Sequence, residues 1–313
     1  MSALIVEAPG LFTTVQDLGR EGFGPIGVSA SGAADPMSLR IGNRLVGNSE
    51  GAAALEMTLV GGAFTFERAV VIAATGADFG PSLDGMALPM WTSIEIRAGQ
   101  TLKFGHSRSG ARAYLCVQGG IAVEPFLGSA STHVLSGLGG FEARALRKGD
   151  RVELGVANSL FRKRSLSAKA MENLKPRKMI RVTDGPQSDW SAESSWKTFC
   201  GNAFRVSEQS NRMGIRLEGP PIQLEASREM ITEGVSLGAI QVPPSGQPII
   251  LFVEQQTTGG YPKIANVISA DLHSLGQLRP RDEIRFERVE MSEARSLLIQ
   301  QEALLTSKEI IRE

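Results

Sequence analysis

Two stretches decide the fold: IEIRAGQTLKFG, Ile94–Gly105, and IQVPPSGQPIILF, Ile240–Phe252. Each reads as a strand, a Gly-Gln turn and a second strand. The likeness extends outward in the same order. LEMTLVGGAFTFE (Leu55–Glu67) stands before the first as IRLEGPPIQLE (Ile215–Glu225) stands before the second. LRKGDRVELG (Leu146–Gly155) follows the first as LRPRDEIRFE (Leu278–Glu287) follows the second: a basic turn, an Asp, a closing strand. Three matches in one order predict a duplicated β unit, each copy a barrel or closed sheet that hides its edges. Two copies are too few for a solenoid. A ligand is expected where the halves meet, because pockets favour domain interfaces.

The expected division is residues 1–164 as a first β-barrel domain, 165–178 as a linker and 179–290 as a second β-barrel domain. Ser165–Lys178, SLSAKAMENLKPRK, is basic, rich in small residues and broken by Pro176. Residues 291–313 carry Ala294, Leu297, Leu298, Ala303, Leu304, Ile310 and Ile311 among charges, an amphipathic C-terminal helix packed on its own body. A second helix opens at Asp35, an N-cap before Pro36 at the first helical position. Met37, Ile41 and Leu45 form its apolar face and Gly47 ends it.

Composition agrees with a mainly β, globular chain. The 35 glycines and 15 prolines give many turns, and 42% hydrophobic content supplies a core. Ala69–Ala73, Ile94–Arg97, Thr101–Phe104, Ala113–Val117, Ile249–Val253 and Glu283–Phe286 read as strands. Lys plus Arg and Asp plus Glu are 33 each, so no net field draws nucleic acid or an anionic membrane. No apolar run approaches the ~20 residues of a membrane span. MSALIVEAPG lacks the basic start and long apolar run of a signal peptide. Cys116 and Cys200 are too few for a disulfide scaffold and are expected to stay reduced. The expected location is the cytoplasm.

The chemistry-bearing residues cluster on two glycine-rich segments. TTVQDLGREGFGPIGVSASGAADPMSLRIGNRLVGN, Thr13–Asn48, holds seven glycines. Thr14, Gln16, Asp17 and Arg20 supply a hydroxyl, an amide, a carboxylate and a guanidinium on a bent loop, a set able to grip a polar planar ligand. VEQQTTGGYPKIA, Val253–Ala265, supplies Gln256, Thr257, Thr258, Tyr261 and Lys263, and Gly259-Gly260 exposes N–H groups that can hold an oxyanion. Each segment also has a purely architectural reading: a connector for the first, a tight hairpin turn for the second. GSASTHVLSGLGG, Gly128–Gly140, is a third candidate wall. No phosphate loop, nucleophile elbow or biotin-carrying Ala-Met-Lys-Met turn occurs, and His106, His133 and His273 lack metal spacing. No metal and no cofactor are therefore expected on this chain.

The segments Thr13–Asn48, Ala113–Ile121 (AYLCVQGGI), Asn211–Gly219 (NRMGIRLEG) and Ile231–Ala265 resemble the family called allophanate hydrolase subunit 2, or biotin-dependent carboxyltransferase. The resemblance runs from about Leu4 to Phe286. It implies two cyclophilin-like β-barrels, in agreement with the duplication. The family includes the C-type subunits of bacterial 5-oxoprolinases, kinase-inhibitor antagonists, and part of the carboxyltransferase domain of urea carboxylase. The implied function is a subunit that, with sister subunits A and B, opens the lactam of 5-oxoproline to glutamate, with ATP bound on a partner. The substrate is then a small amide or lactam. Alternatives are a non-catalytic interaction protein of the antagonist type, or a carboxyltransferase component that acts on a urea-like amide with a biotinylated partner.

The family's first motif falls on Thr14, Gln16, Asp17, Gly19, Arg20 and Gly22, and its second on Gln256–Pro262. Asp17, Arg20 and Tyr261 are the catalytic candidates. Thr14, Gln16, Gln256, Thr257, Thr258, Gly259, Gly260 and Lys263 are the substrate-binding candidates. Asp17 and Arg20 either pair to shape the loop or contact the substrate. Three positions depart from the family pattern. Ala130 replaces an expected Arg, Val253-Glu254-Gln255 replaces Ala-Asp followed by Arg or His, and Arg281 replaces Gly. The first two remove cations and move one carboxylate outward by a methylene, so an altered substrate preference or lost activity is expected if they line the site.

Overall fold

A computed structural model describes residues 2–157, 161–224 and 230–313. The chain is mainly β and divides into two compact units. The first is Met1–Arg20, Ser31–Leu174 and Leu305–Glu313; the second is Glu21–Ala30 and Lys175–Leu304.

The first unit holds two antiparallel sheets. Six strands run in the order Arg151–Glu153, Ala3–Ala8, Ala63–Phe66, Thr101–Lys103, Ser82–Leu83, Met86–Ala87. Five run in the order Phe12–Gln16, Ala54–Thr58, Ser109–Val117, Val70–Asp78, Ser93–Ile96. Successive strand residues point to opposite faces, so each sheet offers one apolar face. Leu4, Phe64, Leu102 and Val152 from the first meet Val15, Leu55, Ile72 and Leu115 from the second in one core. The helix Pro36–Val46 packs on Val70–Asp78 and Ser109–Val117. Asp35 caps it as expected, its carboxylate accepting from the Ser38 N–H at 3.0 Å, and Gly47 ends it at φ 80°. Gly42 lets it approach the sheet, because a Cβ there would stand 2.6 Å from Cys116 Sγ.

In the second unit seven strands close a barrel in the order Met179–Asp184, Lys263–Val267, Ala239–Gln241, Ile249–Leu251, Gly214–Glu218, Phe204–Val206, Glu283–Arg288. The last returns parallel to the first, with Met179 opposite Arg285, so the ring of strands has no free edge. Helix Glu193–Gly201 buries Trp196 and Phe199, and Phe199 stacks on Phe286 at 4.2 Å between ring centroids.

The matched stretches are strand–turn–strand in both units. Ala239–Gln241 and Ile249–Leu251 pair with each other, whereas Ser93–Ile96 and Thr101–Lys103 go to different sheets. The closing strands agree better: Arg151–Glu153 and Glu283–Arg288 each lie beside the first strand of their unit. Residues 165–178 are partly ordered as strand Ser165–Leu166 and helix Ala168–Asn173, which Ser167 caps. The C-terminal helix ends at Thr306, short of the expected span. Ser307 starts a new 3-10 turn by accepting the Glu309 N–H at 3.1 Å, and Ile311 pairs with Leu166 instead. Ala294 anchors the helix against Ile268 and Ala270 of its own unit. Among the described residues no helix is long and apolar enough to cross a membrane.

Candidate functional site

The Thr13–Asn48 stretch is held at both ends by buried polar groups. The first strand of the five-stranded sheet ends at Gln16, and Asp17 follows it, 9% exposed. Its Oδ1 accepts from Gly19 N at 2.7 Å, Ser129 Oγ at 2.6 Å and Ser131 Oγ at 2.5 Å, and its Oδ2 from Ala130 N at 2.7 Å. Three donors converge on Oδ1 and one holds Oδ2, so the carboxylate is tied down at both oxygens. Arg20, 2% exposed, donates Nη2 to Ser131 O and covers the Phe126 ring at 5.5 Å. Gln16 Nε2 donates to Thr14 Oγ1 and to Thr132 O, both at 3.0 Å. Thr14, Gln16, Asp17 and Arg20 thus form a clamp on residues 126–132, and the Gly128–Gly140 segment is its other jaw.

The far end of the stretch is pinned by a second network. Glu56, 1% exposed, accepts from Ala34 N at 2.8 Å and Tyr114 Oη at 2.6 Å, and Arg112 Nε lies 3.6 Å away. Tyr114 Oη in turn accepts from Asp35 N at 2.8 Å. Burial first, then the negative charges of Glu56 and Asp35, push the Tyr114 phenol well above its ordinary value. Sequence reading passed over this network. Its signal was a Glu alternating with apolar residues in LEMTL. Ala33 N also donates to Asp17 O at 2.8 Å, so the loop closes on itself.

The middle of the stretch, Glu21–Ala30, belongs to the second unit. Gly24–Ile26 forms a 3-10 turn ended by Gly27 at φ 81°. Gly24, Pro25 and Gly27 line a cavity of about 710 Å³ together with Pro186, Ser236, Thr257, Thr258, Lys263 and Asn266. That volume suits a small molecule. Gly24, Pro25 and Gly27 of the first glycine-rich segment and Thr257, Thr258 and Lys263 of the second line this cavity, Thr14–Arg20 do not, and all the lining residues lie in the second unit.

Lys263 is the charged residue lining it, among the described residues. It opens the strand Lys263–Val267 and is 3% exposed, although strands seldom bury a lysine without a partner. Its Nζ lies 2.5 Å from Glu233 Oε1. Gln187 braces both residues: its Oε1 accepts from Lys263 N at 3.0 Å and its Nε2 donates to Glu233 Oε1 at 2.9 Å. The Lys263 ammonium and then the Gln187 amide hold the Glu233 carboxyl below its ordinary value. Glu233 sits on a two-residue strand, Glu233–Gly234, paired with Thr258–Gly259.

Of the remaining candidates, Gln256 Nε2 reaches Gln241 Oε1 at 3.4 Å. A Cβ on Gly259 would stand 2.4 Å from Gln241 Nε2, so glycine admits the Gln241 amide there. Gly260 and Tyr261 are exposed, with Tyr261 at 44%. Sequence reading missed Glu233, Gln187 and Asn266; Glu233 lies in the Ile231–Ala265 run, unremarked among turn residues.

The three departures have internal partners. Ala130 packs against the first unit's core while its N–H holds Asp17. Glu254 is 6% exposed and lies 2.5 Å from Arg212 Nε, and its N–H donates to Arg212 O at 2.8 Å. Arg281 adopts φ 72°, where glycine is favoured, and its guanidinium meets Glu208 at 2.5 Å.

Residues 26–288 match the family model described as carboxyltransferase domain, subdomain A and B. The chain is similar to the C subunit of 5-oxoprolinase from Escherichia coli, 41% identical over 287 residues that cover 91% of each chain. It is 39% identical to the protein of the same name in Haemophilus influenzae, covering 91% of this chain and 90% of that one. The solved structure of Kluyveromyces lactis urea carboxylase superposes with a TM-score of 0.91 at 33% identity, covering 99% of this chain and 30% of that one.

Proposed function

The chain belongs to the carboxyltransferase domain family, subdomain A and B, and from that premise we propose that it is the C-type subunit of a 5-oxoprolinase. It works in the cytoplasm in a hetero-oligomer with sister subunits A and B, and ATP binds to one of those partners. The observation that carries this reading is the 41% identity to the Escherichia coli protein over 91% of both chains, a match of nearly whole chain to nearly whole chain.

The task is opening a lactam. Resonance makes its amide carbonyl a poor electrophile, so the energy for C–N cleavage comes from ATP on the partner. This chain's contribution is to hold the ring in place. Thr257, Thr258, Ser236 and Asn266 offer hydroxyl and amide groups to the lactam N–H and C=O, and Lys263 offers a cation. Positioning of this kind supplies much of the barrier reduction in such reactions. Asp17, Arg20, Gln16 and Thr14 are assigned to holding the loop. Gln256, Gly259 and Gly260 are assigned to shaping the turn that carries the threonines. Tyr261 is the exposed phenol left over, and Tyr261→Phe decides its role: lost turnover with unchanged melting assigns it to the substrate.

The test is reconstitution. The purified chain with sister subunits A and B releases glutamate from 5-oxoproline only with ATP, and omission of this chain abolishes release. Silence with all three present, where the Escherichia coli counterpart of this chain restores activity, contradicts the reading. The TM-score of 0.91 to a urea carboxylase favours a second reading, carboxyl transfer to a urea-like amide with a biotinylated partner. It predicts bicarbonate-dependent turnover that avidin blocks, and activity insensitive to avidin excludes it.

A further inference from the structure

The counter-ion of Lys263 is oddly chosen. The ammonium is 3% exposed, whereas the carboxylate that neutralises it has a side chain 44% exposed. A buried charge must keep an opposite charge beside it, but the identity of that charge is free. Glu233 can leave toward water, because its side chain is already 44% exposed. Its strand lies outside the barrel, in a two-residue ladder with Thr258–Gly259. Gln187, fixed by its bond to Lys263 N, stays behind as a carboxylate donor. Beside them the cavity walls present no other charged group, among the described residues.

We propose that Glu233 is a resident surrogate for the carboxylate of a small substrate, displaced from Lys263 when that substrate enters the cavity. The ligand class is a compact carboxylate that carries a neighbouring amide, the amide facing Thr257 and Thr258. This rests on the reading of the chain as part of a lactam-opening enzyme and adds how an acidic lactam is told from a neutral one. Selection follows from charge: a neutral lactam cannot replace Glu233, so it leaves the latch closed.

Binding to the full purified chain is measured by calorimetry with three probes: 5-oxoproline, 2-pyrrolidinone, which lacks the carboxylate, and urea. The wild-type chain binds 5-oxoproline and neither neutral probe. Glu233→Gln removes the competitor and tightens 5-oxoproline binding about tenfold, the gain expected when a binding-competent state rises from a tenth of the population to nearly all of it. Lys263→Met loses that binding. Glu233→Gln changes a half-exposed residue and decides the question even if Lys263→Met misfolds. Weaker 5-oxoproline binding in Glu233→Gln, or equal binding of 2-pyrrolidinone and 5-oxoproline, overturns the proposal. Reconstituted turnover with no carboxylate binding by this chain sinks the latch and spares the assignment to a 5-oxoprolinase. The binding pattern without turnover does the reverse.

Discussion

Asp17 in the first unit and Lys263 in the second are both charged, both buried and both set beside glycine-rich turns. Their surroundings differ. The Asp17 carboxylate has four short hydrogen bonds from its own unit, two from hydroxyls and two from backbone N–H groups. Lys263 has one half-exposed carboxylate and lines a cavity. A charge tied at both oxygens by its own unit is scaffold, because a ligand must compete with bonds already made. A charge with a replaceable partner beside open space can take a ligand. Residue type did not separate the two regions; partner accounting does.

The largest effect is expected at Asp17. Asp17→Ala leaves two hydroxyls and two N–H groups without their acceptor, at about 1–3 kcal/mol for each buried group left unpaired and less than additively. A loss of about 4 kcal/mol is expected, read as a fall in Tm of roughly 8–16 °C. An unchanged Tm with lost turnover moves Asp17 to the substrate. Glu254→Ala tests the same logic in the second unit, since it strips the buried Arg212 of its carboxylate. Removing one partner of a buried pair costs about 3–5 kcal/mol, with relaxation toward water favouring the lower end here. A denaturant midpoint unchanged in that variant places Glu254 outside the scaffold.

Acid sharpens the contrast at Glu233. Its folded-state pKa is depressed by Lys263 first and Gln187 second. A depressed carboxyl adds stability that is present above the unfolded value of 4.5 and is lost as pH falls through the lower folded value. Carbon-detected NMR of Glu233 therefore gives a midpoint below 4.5 that rises toward 4.5 in Lys263→Met. A midpoint that does not move in the variant means the ammonium is not the partner. Arg281→Gly has the smallest effect. It relieves a left-handed backbone worth about 1–2 kcal/mol and gives part of that back in unfolded-chain entropy, so a gain of up to about 1 kcal/mol is expected. Thermal melting checks it, and a lower Tm means the exposed pair with Glu208 matters more than the backbone.

Much of the architecture was legible because its causes are local. Asp35-Pro36 and Gly47 fix the helix Pro36–Val46 through capping and a left-handed stop, and the strand runs carry their own β-branched patterns. The end of the C-terminal helix was misplaced because Ser307 diverts Ile310 and Ile311 into a 3-10 turn and a strand. The candidate site was half legible. Thr257, Thr258 and Lys263 announce themselves in one motif. Glu233 and Gln187 do not, because the antiparallel pairing of Met179–Asp184 with Lys263–Val267 is what brings Gln187 to Lys263 across 76 positions. The Asp17 clamp was hidden for the same reason: Ser129 reaches it from 112 positions away. Gly24–Gly27 carries no chemistry in its side chains, so its place in the cavity wall left no mark a residue-type reading could find.

On the proposed assignment one glycine-rich stretch anchors a scaffold through Asp17 while the ligand charge sits at Lys263. Melting and 5-oxoproline affinity, measured together on Asp17→Asn and Lys263→Met, test it most directly. Asp17→Asn is expected to melt several degrees lower yet bind 5-oxoproline like the wild type below its melting temperature, and Lys263→Met to melt near the wild type and not bind. The reverse pattern, binding lost with Asp17 and kept without Lys263, contradicts it.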